Sequence, residues 1–172
     1  MLRDLTSNVV GQLVVIPGII TAASKTEIKA TNVTMRCSNC GHEKSVALKH
    51  GFGGAALPRQ CDMAKATSMD KSQCPLDPYR IVPDKCEYLD RQTLKLQEAP
   101  ELVPTGDMPR TFLMTVDREL TDKVTPGNRV KVVGILAIVD KGGSSTVGAN
   151  RGVKETVKVS YLRVLGLQSV SN

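Results

Sequence analysis

Five cysteines are the residues of this chain whose type and spacing could do chemistry. Cys37-Ser38-Asn39-Cys40-Gly41 sets two thiols on one tight turn, a C-x-x-C arrangement that can grip a soft or borderline metal ion. A glycine directly after the second cysteine lets the backbone take positive φ. Cys61 follows after 20 intervening residues, Cys74 after 12 more, and Cys86 after a further 11. The first pair is a standard zinc half-site and the second is stretched. The chain therefore offers one four-sulfur site, from Cys37, Cys40, Cys61 and Cys74, plus a spare. Cys86 reads as a small, half-buried residue.

Other uses of these thiols fit less well. An odd number of cysteines suits disulfides poorly, and residues 1–12 lack the apolar core and cleavage site of a secretory signal. A catalytic zinc keeps an open position and leans on histidine or carboxylate ligands. His42 lies too close to Cys40 to join the knuckle easily, and His50, in Lys49-His50-Gly51, reads as solvent-facing. Structural Zn(Cys)₄ stands ahead of reduced or differently liganded thiols and of a catalytic metal.

Nothing else in the chain has the pattern of an enzyme. There is no G-x-x-x-x-G-K-[ST] phosphate loop, no G-x-S-x-G and no H-E-x-x-H. Two histidines and scattered carboxylates form no acid/base constellation.

The other chemical signal is charge. The net charge is +6, which favours polyanions without requiring one. Between 129 and 163 seven cations face two carboxylates, so most of the excess is concentrated there. Lys141, Arg151, Lys154 and Lys158 flank a Gly/Ser-rich stretch and could meet phosphates without reading bases. Lys154 and Lys158 share a face in strand geometry. The plainer reading is a solubilising hairpin. A second candidate set is Lys25, Lys29, Arg91 and Lys95, which serve equally well as ordinary solvated side chains. Only five aromatics occur, Phe52, Tyr79, Tyr88, Phe112 and Tyr161, too few for a platform that stacks bases.

These residues must be positioned by β structure. At 172 residues and 41% hydrophobic content the chain can bury a core, and no apolar run is long enough for a membrane-spanning helix. Gly11–Ala23 is a Val/Ile-rich strand with a bend or bulge expected at Pro17-Gly18. Asn32–Cys37 alternates as a half-exposed strand. Residues 38–91 have little periodicity and too little apolar content to fold alone, so metal would supply the missing stability. Strands return at Thr93–Gln97 and Thr111–Val116. Between them, Glu98–Arg110 is broken by three prolines and a glycine. Thr125-Pro126-Gly127-Asn128 has the form of a type II turn. Arg129–Asp140, kinked at Gly134, and Val153–Gln168 are joined by the Gly/Ser-rich tip as a long hairpin.

The expected fold is mainly β: an OB-like Greek-key barrel with an inserted zinc-finger subdomain. Residues 1–37 and 87–172 form the barrel, including a hairpin at about 139–158, and 38–86 form the insertion. Periodicity alone leaves an SH3-like barrel or a small sandwich open.

Leu94–Arg110 (LKLQEAPELVPTGDMPR), Pro126-Gly127-Asn128-Arg129-Val130, Gly134-Ile135-Leu136 and the opening GQLVVIPGIITAAS together resemble the N-terminal domain of minichromosome maintenance (MCM) replicative helicases. The resemblance covers roughly residues 5–168. Leu57–Cys61 and Cys74–Tyr79 stand where the family closes its zinc site. That arrangement is most similar to the subunit-five branch of the eukaryotic heterohexamer and favours Cys74 over Cys86 as fourth ligand.

The resemblance implies an OB-fold with an inserted zinc finger and a DNA-facing hairpin, with Lys141, Arg151 and Lys154 at the positions of the family's basic hairpin residues. It implies a collar through which single- or double-stranded DNA passes, neighbouring MCM subunits in a ring, an opposing hexamer met through the zinc fingers, and helicase co-activators such as GINS. The nucleus is the implied compartment. The Glu98–Arg110 loop matches the family loop thought to relay between collar and motor. The family's helical subdomain and its ATP-binding motor are not in this sequence, so it is expected to be a fragment that uses no ATP and unwinds no DNA itself.

Overall fold

A computed structural model of the chain describes residues 2–48, 58–63, 74–140 and 158–170. Eight strands carry the architecture: β1 (Leu13–Ala23), β2 (Glu27–Cys37), β3 (Glu43–Ala47), β4 (Tyr79–Ile81), β5 (Glu87–Gln97), β6 (Thr111–Asp117), β7 (Arg129–Asp140) and β8 (Lys158–Ser169). Short 3₁₀ turns such as Pro100–Leu102 and Arg118–Leu120 punctuate the loops. No helix among the described residues is long and apolar enough to cross a membrane. The chain forms two compact units. One comprises Met1–Glu27 with Asp90–Asn172, the other Ile28–Leu89.

The first unit is a closed ring of five strands. β1 pairs antiparallel with β7, from Leu13 opposite Ile135 to Ile19 opposite Arg129. β7 pairs antiparallel with β8, from Val130 opposite Ser169 to Asp140 opposite Lys158. β8 runs parallel to β6 at Met114–Leu162 and Thr115–Arg163. β6 pairs with β5 from Arg91–Asp117 to Gln97–Thr111, and β5 returns to β1 between Ile19–Gln97 and Ala23–Leu94. Four antiparallel pairs and one parallel pair, closed on themselves in this order, make an OB-fold barrel, as the sequence led us to expect.

The interior follows the two-residue period of a strand. Ile16 and Ile20, Leu94 and Leu96, Met114 and Val116, Val130 and Val132, and Leu162 and Val164 are all buried together, one pair from each strand. Leu2 and Val124 join the same cluster. Each such side chain contributes about 1.5–3 kcal/mol by leaving water.

The irregularities fall in places that sequence reading fixes only in part. Pro17 and Gly18 stay in register opposite Lys131 and Val130, and the β1 irregularity comes later, between Ile20 and Ala22 on the β5 side. Gly18 instead permits a close approach, because a Cβ there would lie 2.7 Å from the Gln97 carbonyl oxygen. The kink expected at Gly134 is a register shift between Val133 and Gly134. A Cβ at Gly134 would sit 2.5 Å from the Arg163 carbonyl oxygen. In the turn before β7 Gly127 has φ +96°, and the Asn128 N–H donates to the Thr125 carbonyl. These are the features of a type II turn.

In the second unit β2 is the central strand. It pairs with β3 from Asn32–Ala47 to Arg36–Glu43 and with β4 from Met35–Ile81 to Cys37–Tyr79. Val33, Met35 and Cys37 alternate inward and are buried, as is Cys61. β2 begins at Glu27, five residues before the strand read from the sequence, and β3 and β4 were not anticipated. Both are short, and their pairing is set by β2 rather than by a long apolar pattern of their own.

Candidate metal centre and charged surfaces

Cys37 ends β2, and the chain reverses at once. The Cys37 N–H donates to the His42 carbonyl, and the Gly41 N–H donates to the Cys37 carbonyl. Gly41 takes φ +74°, the positive value that a glycine after the second cysteine allows. The start of β4 is fastened to the same turn, since the Ser38 N–H and hydroxyl both donate to the Pro78 carbonyl. This brings the other two sulfurs in. The ligand atoms of Cys37, Cys40, Cys61 and Cys74 all lie within 4.8 Å of one another. Cys37 and Cys74 are 3.8 Å apart at Sγ, and Cys40 and Cys61 are 3.5 Å apart. A tetrahedral site with Zn–S near 2.3 Å has sulfur–sulfur edges of about 3.8 Å.

The surroundings suit thiolates. The Asn39 amide donates toward Cys74 Sγ at 3.7 Å, and the Tyr79 hydroxyl toward Cys61 Sγ at 3.8 Å. That hydroxyl in turn accepts from the Asp62 N–H. Lys44 pairs with Asp62 at 2.6 Å, and Arg59 pairs with Asp77. The Asn39 and Tyr79 contacts orient the sulfurs from behind.

The acidities show why a cation is needed. The Cys40 N–H, helped by that of Asn39, pulls the Cys37 thiol down to about 6. The His42 N–H favours a thiolate at Cys40, but burial and the three neighbouring sulfurs outweigh it and push Cys40 up to about 12. At Cys74 the Asn39 amide is likewise outweighed, and its pKa is raised by burial and by Cys37 and Cys61. Cys37 ionises readily while Cys40 and Cys74 resist, and crowding four thiolates together calls for a positive ion between them. The donor set therefore fits Zn²⁺. Cys86 is outside the cluster, with its Sγ 3.2 Å from the Val82 carbonyl oxygen.

The cations read from the sequence are placed unevenly. Lys141, Arg151 and Lys154 lie outside the described residues. Lys158 opens β8 and is exposed opposite Asp140. Lys25 and Lys95 are exposed in the barrel unit, while Lys29 falls in the second unit and is half-buried. Arg91 drops out of the set. It is only 8% exposed and sits opposite Asp117 in the β5–β6 ladder, so its guanidinium is not presented to a surface phosphate.

One polar feature was missed. Glu98 is 1% exposed, and its carboxylate accepts from Arg3 Nε at 3.1 and 3.2 Å. Arg3 also pairs with Asp107. The Glu98 N–H donates to the Arg110 carbonyl at 2.9 Å, and Arg129 grips Glu101 at 2.6 Å. The Pro-rich loop is thus tied at its base, its tip and its 3₁₀ turn. A signal existed in the sequence: Leu94, Leu96 and Glu98 share one parity, so the period that buries the leucines also turns Glu98 inward.

A five-stranded barrel with a cysteine cluster in a second unit between its first two strands defines an OB-fold domain with an inserted cysteine-rich unit. Residues 1–140 match the MCM OB domain family, and the chain belongs to that family. It is 45% identical over 168 residues to the DNA replication licensing factor mcm5-B of Xenopus laevis, covering 97% of this chain and 22% of that protein. It is 46% identical over 171 residues to mcm-5 of Caenorhabditis elegans, covering 96% and 21%. With MCM5 of Arabidopsis thaliana it is 42% identical over 170 residues, covering 99% and 23%. The chain thus spans about a fifth of the length of the relatives it matches.

Proposed function

We propose that this chain is the OB-fold collar of a replicative helicase subunit, acting in the initiation and elongation of DNA replication by holding DNA and neighbouring MCM subunits. The observation that carries the reading is the match to licensing factors across nearly the whole chain, on a closed OB barrel. DNA contact is electrostatic and sequence-independent, through Lys141, Arg151, Lys154 and Lys158 with Lys25, Lys29 and Lys95. Cys37, Cys40, Cys61 and Cys74 hold a structural Zn²⁺, which supplies the charge that lets four thiolates share one site. ATP belongs to the motor of the full-length protein, for which this chain has no phosphate loop. Ring neighbours, the opposing hexamer and helicase co-activators such as GINS are the protein partners, and the nucleus is the compartment.

Anisotropy of a labelled single strand and the matching duplex, titrated at several salt concentrations, tests DNA contact. Affinity for the single strand falls with a log–log slope of about −0.7 per phosphate contacted. Changing Lys141, Arg151 and Lys154 to Glu flattens it. A salt-independent signal, or unchanged binding by the triple variant, overturns the reading.

A second reading is favoured by a specific surface. Leu13 (62% exposed) and Val15 (51%) project from β1, opposite Ile135 and Val133 of β7. Next to them Val15, Lys131, Val133, Gly166, Leu167 and Gln168 line a pocket of about 410 Å³. Exposed apolar groups of this kind suit protein contact. On this reading the chain is an assembly collar with negligible DNA affinity alone. Absence of DNA binding combined with capture of neighbouring MCM subunits selects it.

A further inference from the structure

The second unit contains a pair of cations that the metal centre does not use. Arg36 on β2 and Arg80 on β4 are exposed and directly opposite in the antiparallel ladder. Residues so paired have Cβ atoms about 4.5–5.5 Å apart, and like charges at that spacing destabilise the pair unless something neutralises them. Neither arginine donates a side-chain hydrogen bond among the described residues; Arg36 lies opposite Glu43 of β3, but that carboxylate is gripped by Lys85 at 2.7 Å. Among the described residues of this unit Lys44 pairs with Asp62, Arg59 with Asp77 and Lys85 with Glu43.

The two arginines line an open pocket of about 470 Å³ together with Cys37, Ser38, Asn39, Cys40, Gly41 and Val82. The Arg36 guanidinium packs over the knuckle, since a Cβ on Gly41 would lie 3.6 Å from its Nη2. The neutral donors of the wall are already engaged. The Ser38 hydroxyl donates to Pro78, and the Asn39 amide to Cys74 Sγ. The charged donors of the pocket are therefore two guanidinium forks.

We propose that Arg36 and Arg80 form a carboxylate-binding pocket for an acidic segment of a partner protein. Two adjacent guanidinium groups present parallel N–H donors that match carboxylates in bidentate fashion. A nucleic-acid track would need a run of free cations following successive phosphates, whereas among the described residues here two stand beside Lys44, Arg59 and Lys85, each already paired with an acid. Among the described residues no aromatic side chain lines the pocket to stack a base. The inference rests on the metal reading only in taking the knuckle to be held in this shape.

The test uses the zinc-loaded full chain and a fluorescein-labelled octaglutamate peptide. Arg80→Gln and Arg36→Gln each weaken peptide binding by about tenfold, the loss of one charge-assisted contact. The variant with Glu at 141, 151 and 154 binds it as well as the parent does. Backbone amide shifts of Ser38–Gly41 follow the peptide titration. Three results overturn the proposal: no peptide binding by the parent, binding by both arginine variants as tight as the parent's, or loss of a labelled thymidine 20-mer with peptide affinity intact. Zinc content, measured in parallel, separates the remaining case. If both variants lose zinc rather than peptide, the arginines balance the thiolates and the pocket assignment fails.

Discussion

Single side chains in this molecule differ sharply in what their loss should do. Cys37 and Cys61 are both buried, and each holds one corner of a four-sulfur cluster around which the second unit is arranged. Cys37→Ser or Cys61→Ser is expected to abolish stoichiometric zinc and to unfold the second unit, read as lost near-UV ellipticity and lost amide protection in β2–β4. Cys86→Ser is expected to leave zinc content unchanged. A variant lacking Cys37 that keeps one zinc per chain would show the ligand set to be wrong. Gly134 makes a contrasting case, because it contributes no chemistry and its place is defined by the 2.5 Å that a Cβ would leave to the Arg163 carbonyl oxygen. Gly134→Ala forces β7 and β8 apart there. Its expected cost, about 1–3 kcal/mol as for other overpacked sites, is measurable by denaturant unfolding of the barrel.

At the scale of elements, the barrel and the second unit should fail independently. Leu94 belongs to the barrel core, and Leu94→Ala is expected to cost about 2–5 kcal/mol of barrel stability without releasing zinc. Equal loss of both signals in one transition would contradict the division into two units. Element by element, the sequence was legible where strands obey one period. β1, β6 and β7 show it plainly, because each sends alternate apolar residues into one core. The turn before β7 was legible from Pro126-Gly127, since only glycine takes that φ without strain. β3 was not, because Glu43-Lys44-Ser45 carries no apolar alternation and is specified by its neighbour. The Cys37–Cys40 half of the cysteine cluster was legible because its C-x-x-C spacing is local, whereas Cys61 and Cys74 join it only through the fold. The burial of Arg91 was not, because its sequence neighbours Asp90 and Gln92 do not reveal that Asp117 lies across the ladder. The Arg36–Arg80 pair was equally hidden, since only the β2–β4 register brings residues so far apart in sequence face to face.

Taken whole, the molecule divides its stabilising forces between its parts. The barrel has a dozen buried core residues, whereas the described interior of the second unit is little more than Val33, Met35 and two of the thiols. Chelation is therefore expected to act selectively. Stripping the metal with excess EDTA should accelerate hydrogen exchange in β2, β3 and β4 while β6 and β8 keep their protection. Uniform acceleration across all strands would show that the barrel also depends on the ion.

The parallel seam between β6 and β8 has a further consequence, for the time before the protein is complete. β8 is the last strand described, yet it sits in the ring between β7 and β6, so the ring cannot shut until it has left the ribosome. The second unit is one continuous stretch and can take up its ion while translation is still in progress. During that interval β6 and β7 each present an unsatisfied, largely apolar edge, the kind of edge that recruits stray strands. Nascent chains stalled between β7 and β8 are thus the form of this protein most in need of a chaperone.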